Sequence, residues 1–170
     1  MRIVIAPGAS GNAASMQAHV DGLRARGLDA VAIEIPKKRA EDAVDAYLAA
    51  SGDGADVVIG GQSYGGRVAS LLASRPELTF AGLVLLSYPL HRPGGPEWEP
   101  RTSHWPSIRC PVLLLSGEVD PFARIDLLRH AVAQRSPRAE LVTYRRLGHT
   151  LKPVLDDALD RVARFVEAIS

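Results

Sequence analysis

A single cysteine, Cys110, is the chain's whole stock of thiols, so no intrachain disulfide can form and a reducing compartment is expected. Cys110 stands just before Pro111 and an apolar run, and reads as a small core residue. Charge of one sign is missing too: 20 Lys and Arg against 19 Asp and Glu leave a formal net charge of +1. That balance gives no electrostatic reason to expect nucleic acid or an anionic membrane as partner. No apolar run approaches the roughly 18 residues a transmembrane helix needs. The apolar start Ile3-Val4-Ile5-Ala6 is too short for a secretory signal core and is broken by Pro7-Gly8. The expectation is a cytoplasmic protein. Repeats and low-complexity tracts are lacking. So are the P-loop, H-E-x-x-H and paired C-x-x-C patterns, and neither metal nor phosphate cofactor is expected. What is present, 46% hydrophobic and 23% charged residues over 170 positions, suits one globular domain with a real core.

Short apolar runs alternate with helical patterns along the whole chain. Strands are expected at 3–6, 30–35, 56–60, 83–86, 112–115 and 141–144. Helices are expected from about Asn12 to Arg26, Glu41 to Ala50, Tyr64 to Ser74, Pro121 to Gln134 and Leu155 to Ile169. The strands are apolar throughout, as in a parallel sheet covered on both faces. Ligands of such sheets bind beyond the carboxyl ends of the strands. That rule gathers Gly8 to Gly11, Lys37 to Arg39, Ser63, Glu118 to Asp120 and His149 on one rim. It adds the long stretch 88–107, where five prolines forbid a continuous helix and a short cap over the rim is expected. Lys37-Lys38-Arg39 reads as a solvated loop.

The third apolar run ends in Gly60-Gly61-Gln62-Ser63-Tyr64-Gly65-Gly66, containing G-x-S-x-G. Such a pentapeptide arises by chance in about one chain in twenty of this length. The strand before it and the helix after it supply the context of a nucleophile elbow, a sharp turn that lifts a serine hydroxyl clear of the sheet. Gly61 and Gly65 flank the serine because side chains there would collide. A serine needs a base, and the base an orienting carboxylate. Asp120 follows the fifth strand and His149 the sixth, in the chain order Ser, Asp, His. Glu118, two residues before Asp120, is the rival acid, and Asp120 before Pro121 could also cap the next helix. The two oxyanion donors are expected to be the backbone amides of Tyr64 and Ala9. Gly8 would let the backbone approach the substrate and Ser10 leads into a helix start, so both are candidate substrate contacts. His91, Arg101 and His104, in the 88–107 stretch, are candidate substrate contacts as well. His19 and His130 fall in helices and read as surface residues. Arg67 is left open between a bridge to the cap and a solvated helix face.

Taken together, Pro7-Gly8-Ala9-Ser10-Gly11, Gly61-Gln62-Ser63-Tyr64-Gly65-Gly66-Arg67, Tyr88-Pro89-Leu90-His91-Arg92-Pro93, Arg101-Thr102-Ser103-His104, Gly117-Glu118-Val119-Asp120-Pro121-Phe122 and Gly148-His149 resemble the small α/β-hydrolases of the dienelactone-hydrolase-like branch. The resemblance spans nearly the whole chain. It implies a single α/β-hydrolase domain over 1–170, a minimal six-stranded parallel sheet in the order 2-1-3-4-5-6 with helices on both faces, and hydrolysis of ester-type substrates. One departure is Pro7-Gly8, where many relatives carry His-Gly. Some relatives serve as parts of larger complexes, so a catalytically silent scaffold is the alternative.

The function expected is thus a carboxylesterase-like serine hydrolase acting on small esters, with no cofactor. A histidine base must be neutral, so activity is expected to fall as pH drops through roughly 6 to 7. A third reading, a dinucleotide-binding domain using Gly8 to Gly11 with Glu34 near the end of the second strand, fails because Ser10 stands where the fingerprint needs its middle glycine.

Overall fold

A computed structural model describes residues 1–95, 101–136 and 138–170. Among the described residues, β1 (Arg2–Ala6), β2 (Asp29–Ala32), β3 (Gly54–Gln62), β4 (Phe80–Leu86), β5 (Val112–Gly117) and β6 (Ala139–Tyr144) form one sheet in the order β2-β1-β3-β4-β5-β6. Every neighbouring pair is parallel. The helices are α1 (Gln17–Ala25), α2 (Ala40–Ser51), α3 (Tyr64–Ala73), α4 (Ile125–Arg135) and α5 (Leu155–Ile169).

Strand alternation divides the core in two. Val4, Ile59, Leu83, Leu85 and Leu114 face α2, α3 and α4, while Ile3, Ile5, Val58, Val84, Leu113 and Leu115 face α1 and α5. Buried Ala158, Leu159, Val162, Phe165 and Val166 recur at three- and four-residue spacing along α5, which is why that helix keeps the bounds its periodicity predicts. Tyr47 of α2 reaches between two strands. Its hydroxyl accepts from the Gly60 N–H at 3.0 Å and lies 2.6 and 2.9 Å from the carbonyls of Gly60 and Val4. Burial pushes its phenol pKa up.

Some boundaries move, for local reasons. The second strand stops at Ala32; Ile33 makes one further bond to Ile5, and Ile33 and Ile35 are buried against the α2 side instead of continuing the ladder. The first helical segment opens as a 3-10 turn, Ala13–Met16, because Asn12 and Ser15 form a reciprocal capping box. The helix expected from Pro121 begins at Ile125, since Asp120 and His91 hold the intervening turn in another shape, described below. In the 88–107 stretch, residues 96–100 lie outside the described residues. Its two ends are built into the core: Tyr88, Leu90, Thr102 and Trp105 are buried, and the Tyr88 and Trp105 rings meet edge to face at 5.1 Å. Among the described residues no helix is long and apolar enough to cross a membrane.

Candidate active site

Register fixes the rim. Ala6 pairs Gly61, Gln62 pairs Leu86 and Gly117 pairs Tyr144, so the chain leaves β1, β3, β5 and β6 along one edge. Ser63 follows β3 immediately and caps α3 with φ 48 and ψ −113, a conformation a residue with a Cβ adopts only when its surroundings impose it. The imposing contact is close packing: a Cβ on Gly61 or Gly65 would run into the backbone of Ala6. Strand β1 and the turn therefore touch through bare backbone. Ser63 stays half-exposed at the apex.

The acid and histidine loops are laced together before either presents its side chain. Glu118 N–H donates to the Tyr144 carbonyl at 2.9 Å, and Val119 N–H to the Leu147 carbonyl at 3.0 Å. Gly117 makes room, because a Cβ there would meet the Leu147 and Gly148 carbonyls. His149 then lies with Nε2 2.9 Å from Ser63 Oγ and Nδ1 2.8 Å from Asp120 Oδ2. The Asp120 side chain is fully buried and its other oxygen accepts from the Phe122 N–H at 2.8 Å. A buried carboxylate oxygen needs a donor, so the proton of His149 belongs on Nδ1. That leaves the Nε2 lone pair facing the serine hydroxyl. The Phe122 ring lies 4.4 Å from the imidazole, tilted by 35°, and covers one of its faces.

Glu118 is engaged elsewhere, with the Thr143 hydroxyl at 2.8 Å and Arg129 at 3.3 Å, so it is not the carboxylate on His149. Tyr64 is the first residue of α3, and its N–H belongs to the turn that has no partner inside the helix. On the other side, Gly8 backs onto Ser63: a Cβ there would sit 3.7 Å from Ser63 Cβ. Ala9 and Ser10 form the exposed tip of a turn closed by Gly11 N–H to the Gly8 carbonyl at 3.1 Å. Among the described residues no group accepts from the Ala9 N–H.

The three candidates from the 88–107 stretch are placed differently. His91 as a substrate contact is corrected: it is buried, Nδ1 donates to the Arg92 carbonyl at 2.8 Å, and Nε2 accepts from the Arg124 N–H at 3.0 Å. Both ring nitrogens are spent on backbone. Arg101 donates to the Pro89 carbonyl at 2.9 Å and accordingly pins its own segment. His104 Nε2 lies 2.8 Å from the Ser70 hydroxyl, which itself donates to the Arg67 carbonyl. Burial, reinforced by the Arg67 charge, pushes the His104 pKa down to about 4. Arg67 pairs with Glu41 of α2 at 3.0 Å. His19 is not a plain surface residue. It lines a cleft of about 40 Å³ with Ser15, Gln62, Leu86, Thr150, Leu151 and Lys152, and its Nδ1 is buried without a partner among the described residues. Burial, and secondarily Lys152, lowers its pKa. Among the described residues no cluster of His, Cys, Asp or Glu could hold a metal ion.

Sequence reasoning did not reach Phe122, the brace at His91, or the tip of Lys37. Each acts through a contact between loops distant in the chain, and no spacing rule marks such a contact.

This sheet order, with a strained serine after β3 and a histidine after β6, defines an α/β-hydrolase domain. The family model described as an alpha/beta hydrolase domain matches residues 34–169, and the chain belongs to that family. No curated protein matches the sequence. Among solved structures, a Paleococcus ferrophilus monoacylglycerol lipase superposes with a TM-score of 0.83 at 15% identity, covering 99% of this chain and 95% of that one. A Pyrococcus furiosus esterase gives 0.77 at 16% identity, covering 99% and 83%. A thermophilic esterase from Thermogutta terrifontis gives 0.75 at 20% identity, covering 99% and 83%. At these identities the likeness shows the shared fold.

Proposed function

We propose that this hydrolase-family domain is a serine esterase acting on small esters through a Ser63–His149–Asp120 relay. The observation that carries the reading is the pair of contacts on one imidazole, 2.9 Å to Ser63 Oγ and 2.8 Å to Asp120 Oδ2, with the serine held at φ 48. Lipases and esterases among the structural neighbours support it. The single cysteine supports a reducing, cytoplasmic setting.

Ser63 Oγ attacks the ester carbonyl while its proton passes to His149 Nε2. Negative charge gathers on the former carbonyl oxygen, where the Tyr64 and Ala9 amides stabilise it. Asp120 stabilises the imidazolium, which gives its proton to the departing alcohol as the C–O bond breaks. Water, deprotonated by His149, then attacks the acyl-serine and releases the acid and Ser63.

The test is a fluorophosphonate probe followed by a panel of activated esters of graded chain length. Stoichiometric labelling lost in Ser63→Ala, with turnover greatest for short acyl groups, is the expected result. Labelling that survives Ser63→Ala overturns the mechanism. A folded wild type that neither labels nor hydrolyses any ester moves the chain to the silent-scaffold alternative.

A further inference from the structure

The basic run after β2, which the sequence presents as a solvated loop, is bound to both halves of the expected oxyanion site. The Lys37 ammonium donates to the Gly8 carbonyl at 2.8 Å and stands 5.6 Å from the centre of the Tyr64 ring. The Tyr64 hydroxyl donates to the Pro36 carbonyl at 2.7 Å and accepts from the Lys38 N–H at 3.2 Å. Tyr64 thus holds residues 36–38 by two bonds, and Lys37 extends from that segment to the loop after β1. Lys37 is exposed along its length, yet its tip has lost enough water to lower its pKa, an effect Glu34 opposes. The Lys37 ammonium goes to the Gly8 carbonyl, while the nearby carboxylate of Glu34 is turned to the Ala13 N–H.

The chemistry of the Gly8–Ala9 peptide gives this contact its meaning. The chain has no cis peptide bonds among its described residues. In a trans peptide the C=O and the following N–H point in opposite directions and belong to one conjugated unit. A cation on the Gly8 oxygen therefore does two things to the Ala9 N–H. It fixes its direction, and it draws electron density toward the oxygen, making the N–H a stronger donor. Gly11 N–H already donates to the same carbonyl, so the ammonium is its second donor and completes both lone pairs.

We propose that Lys37 is a positioning residue of the oxyanion site: latched by Tyr64, it holds and polarises the Gly8–Ala9 peptide so that the Ala9 N–H is set for the tetrahedral intermediate. This rests on the serine-esterase reading for its catalytic consequence, but not for the contact itself. The device matters most in the transition state, because the oxygen carries little charge in the bound ester.

Two measurements test it. The first needs no turnover. At neutral pH the Ala9 amide ¹H–¹⁵N resonance should be displaced from its wild-type position in Lys37→Met, and also in Tyr64→Phe, which releases the segment that carries the lysine. A resonance indifferent to both overturns the proposal, whatever the enzyme does. The second uses an activated ester. Lys37→Met should lower kcat about tenfold with KM changed less than about twofold, short of the 10²–10³ that loss of an oxyanion donor itself costs. Lys37→Arg should recover most of the loss. Tyr64→Phe, which keeps the backbone N–H, should act through the same link, so the double variant should fall no further than the worse single one. Unchanged kcat in Lys37→Met, beside a wild type whose Ser63 labels and turns over, overturns the proposal alone; absent labelling and turnover in the wild type overturn the esterase reading, and the Ala9 resonance still decides the contact.

Discussion

His91 accepts the Arg124 backbone N–H on Nε2 at 3.0 Å, while its own backbone N–H donates to the Phe122 carbonyl at 3.0 Å. A residue from the segment after β4 thereby grips the turn that follows Asp120 on both sides of Ala123. The turn holds Phe122 against the His149 ring and gives its N–H to Asp120 Oδ1. His91 is placed to govern the aim of the acid and the histidine without touching either.

His91→Leu leaves the Arg124 N–H unpaired in a half-closed turn, costing about 1–3 kcal/mol of stability. Looser support of Asp120 and Phe122 should lower kcat severalfold, equally for every ester tried. Steady-state kinetics on two or more acyl groups, with urea denaturation, check this. A KM effect confined to one substrate would instead return His91 to a contact role.

Asp120→Asn should leave the fold nearly unchanged and reduce kcat by roughly 10³–10⁴. The amide oxygen can still accept from Phe122 N–H, which turns its NH₂ toward His149 Nδ1. That nitrogen must then be unprotonated, so the ring proton moves to Nε2, where it blocks acceptance of the Ser63 proton. Unaltered far-UV circular dichroism beside the kinetic loss is the check, and activity within tenfold of wild type would contradict it.

His104 gives an acid dependence of stability. Its folded pKa lies near 4, pushed down by burial and by Arg67, against an ordinary 6.5 in the unfolded chain. Between those values the unfolded state binds more protons, so stability is present above pH 6.5 and is lost as pH falls toward 4. The loss by pH 4.5 is about 2 kcal/mol. The difference in unfolding free energy between pH 7 and 4.5, read from urea melts, should shrink by that amount in His104→Gln relative to wild type.

Tyr47→Phe removes the acceptor of the buried Gly60 N–H and the donor to the carbonyls beneath the serine turn. With no water able to replace a fully buried hydroxyl, the expected cost is about 1–3 kcal/mol, read as a lower urea midpoint with an unchanged slope. A midpoint equal to wild type would mean that the strands close over the gap.

The chain itself wrote out the parallel sheet and the order of its candidate residues. All-apolar strands such as Ile3–Ala6 can only be buried on both faces, and G-x-S-x-G between strand and helix can only be a tight turn. Those are local properties, set by side-chain period and by the missing Cβ of Gly61 and Gly65. Hence the turn at Ser63, the candidates Asp120 and His149, and the bounds of α5 are legible in the sequence. What the tertiary structure alone decided is which side chains spend their polar atoms on neighbouring loops. His91 and Arg101 turn inward to backbone carbonyls and amides, Glu118 goes to Thr143, and the exposed Lys37 sets its ammonium on the Gly8 carbonyl. Such choices follow from where loops far apart in the chain meet along one rim. The requirement that each buried polar group find a partner acts on that meeting, and no stretch of sequence contains it.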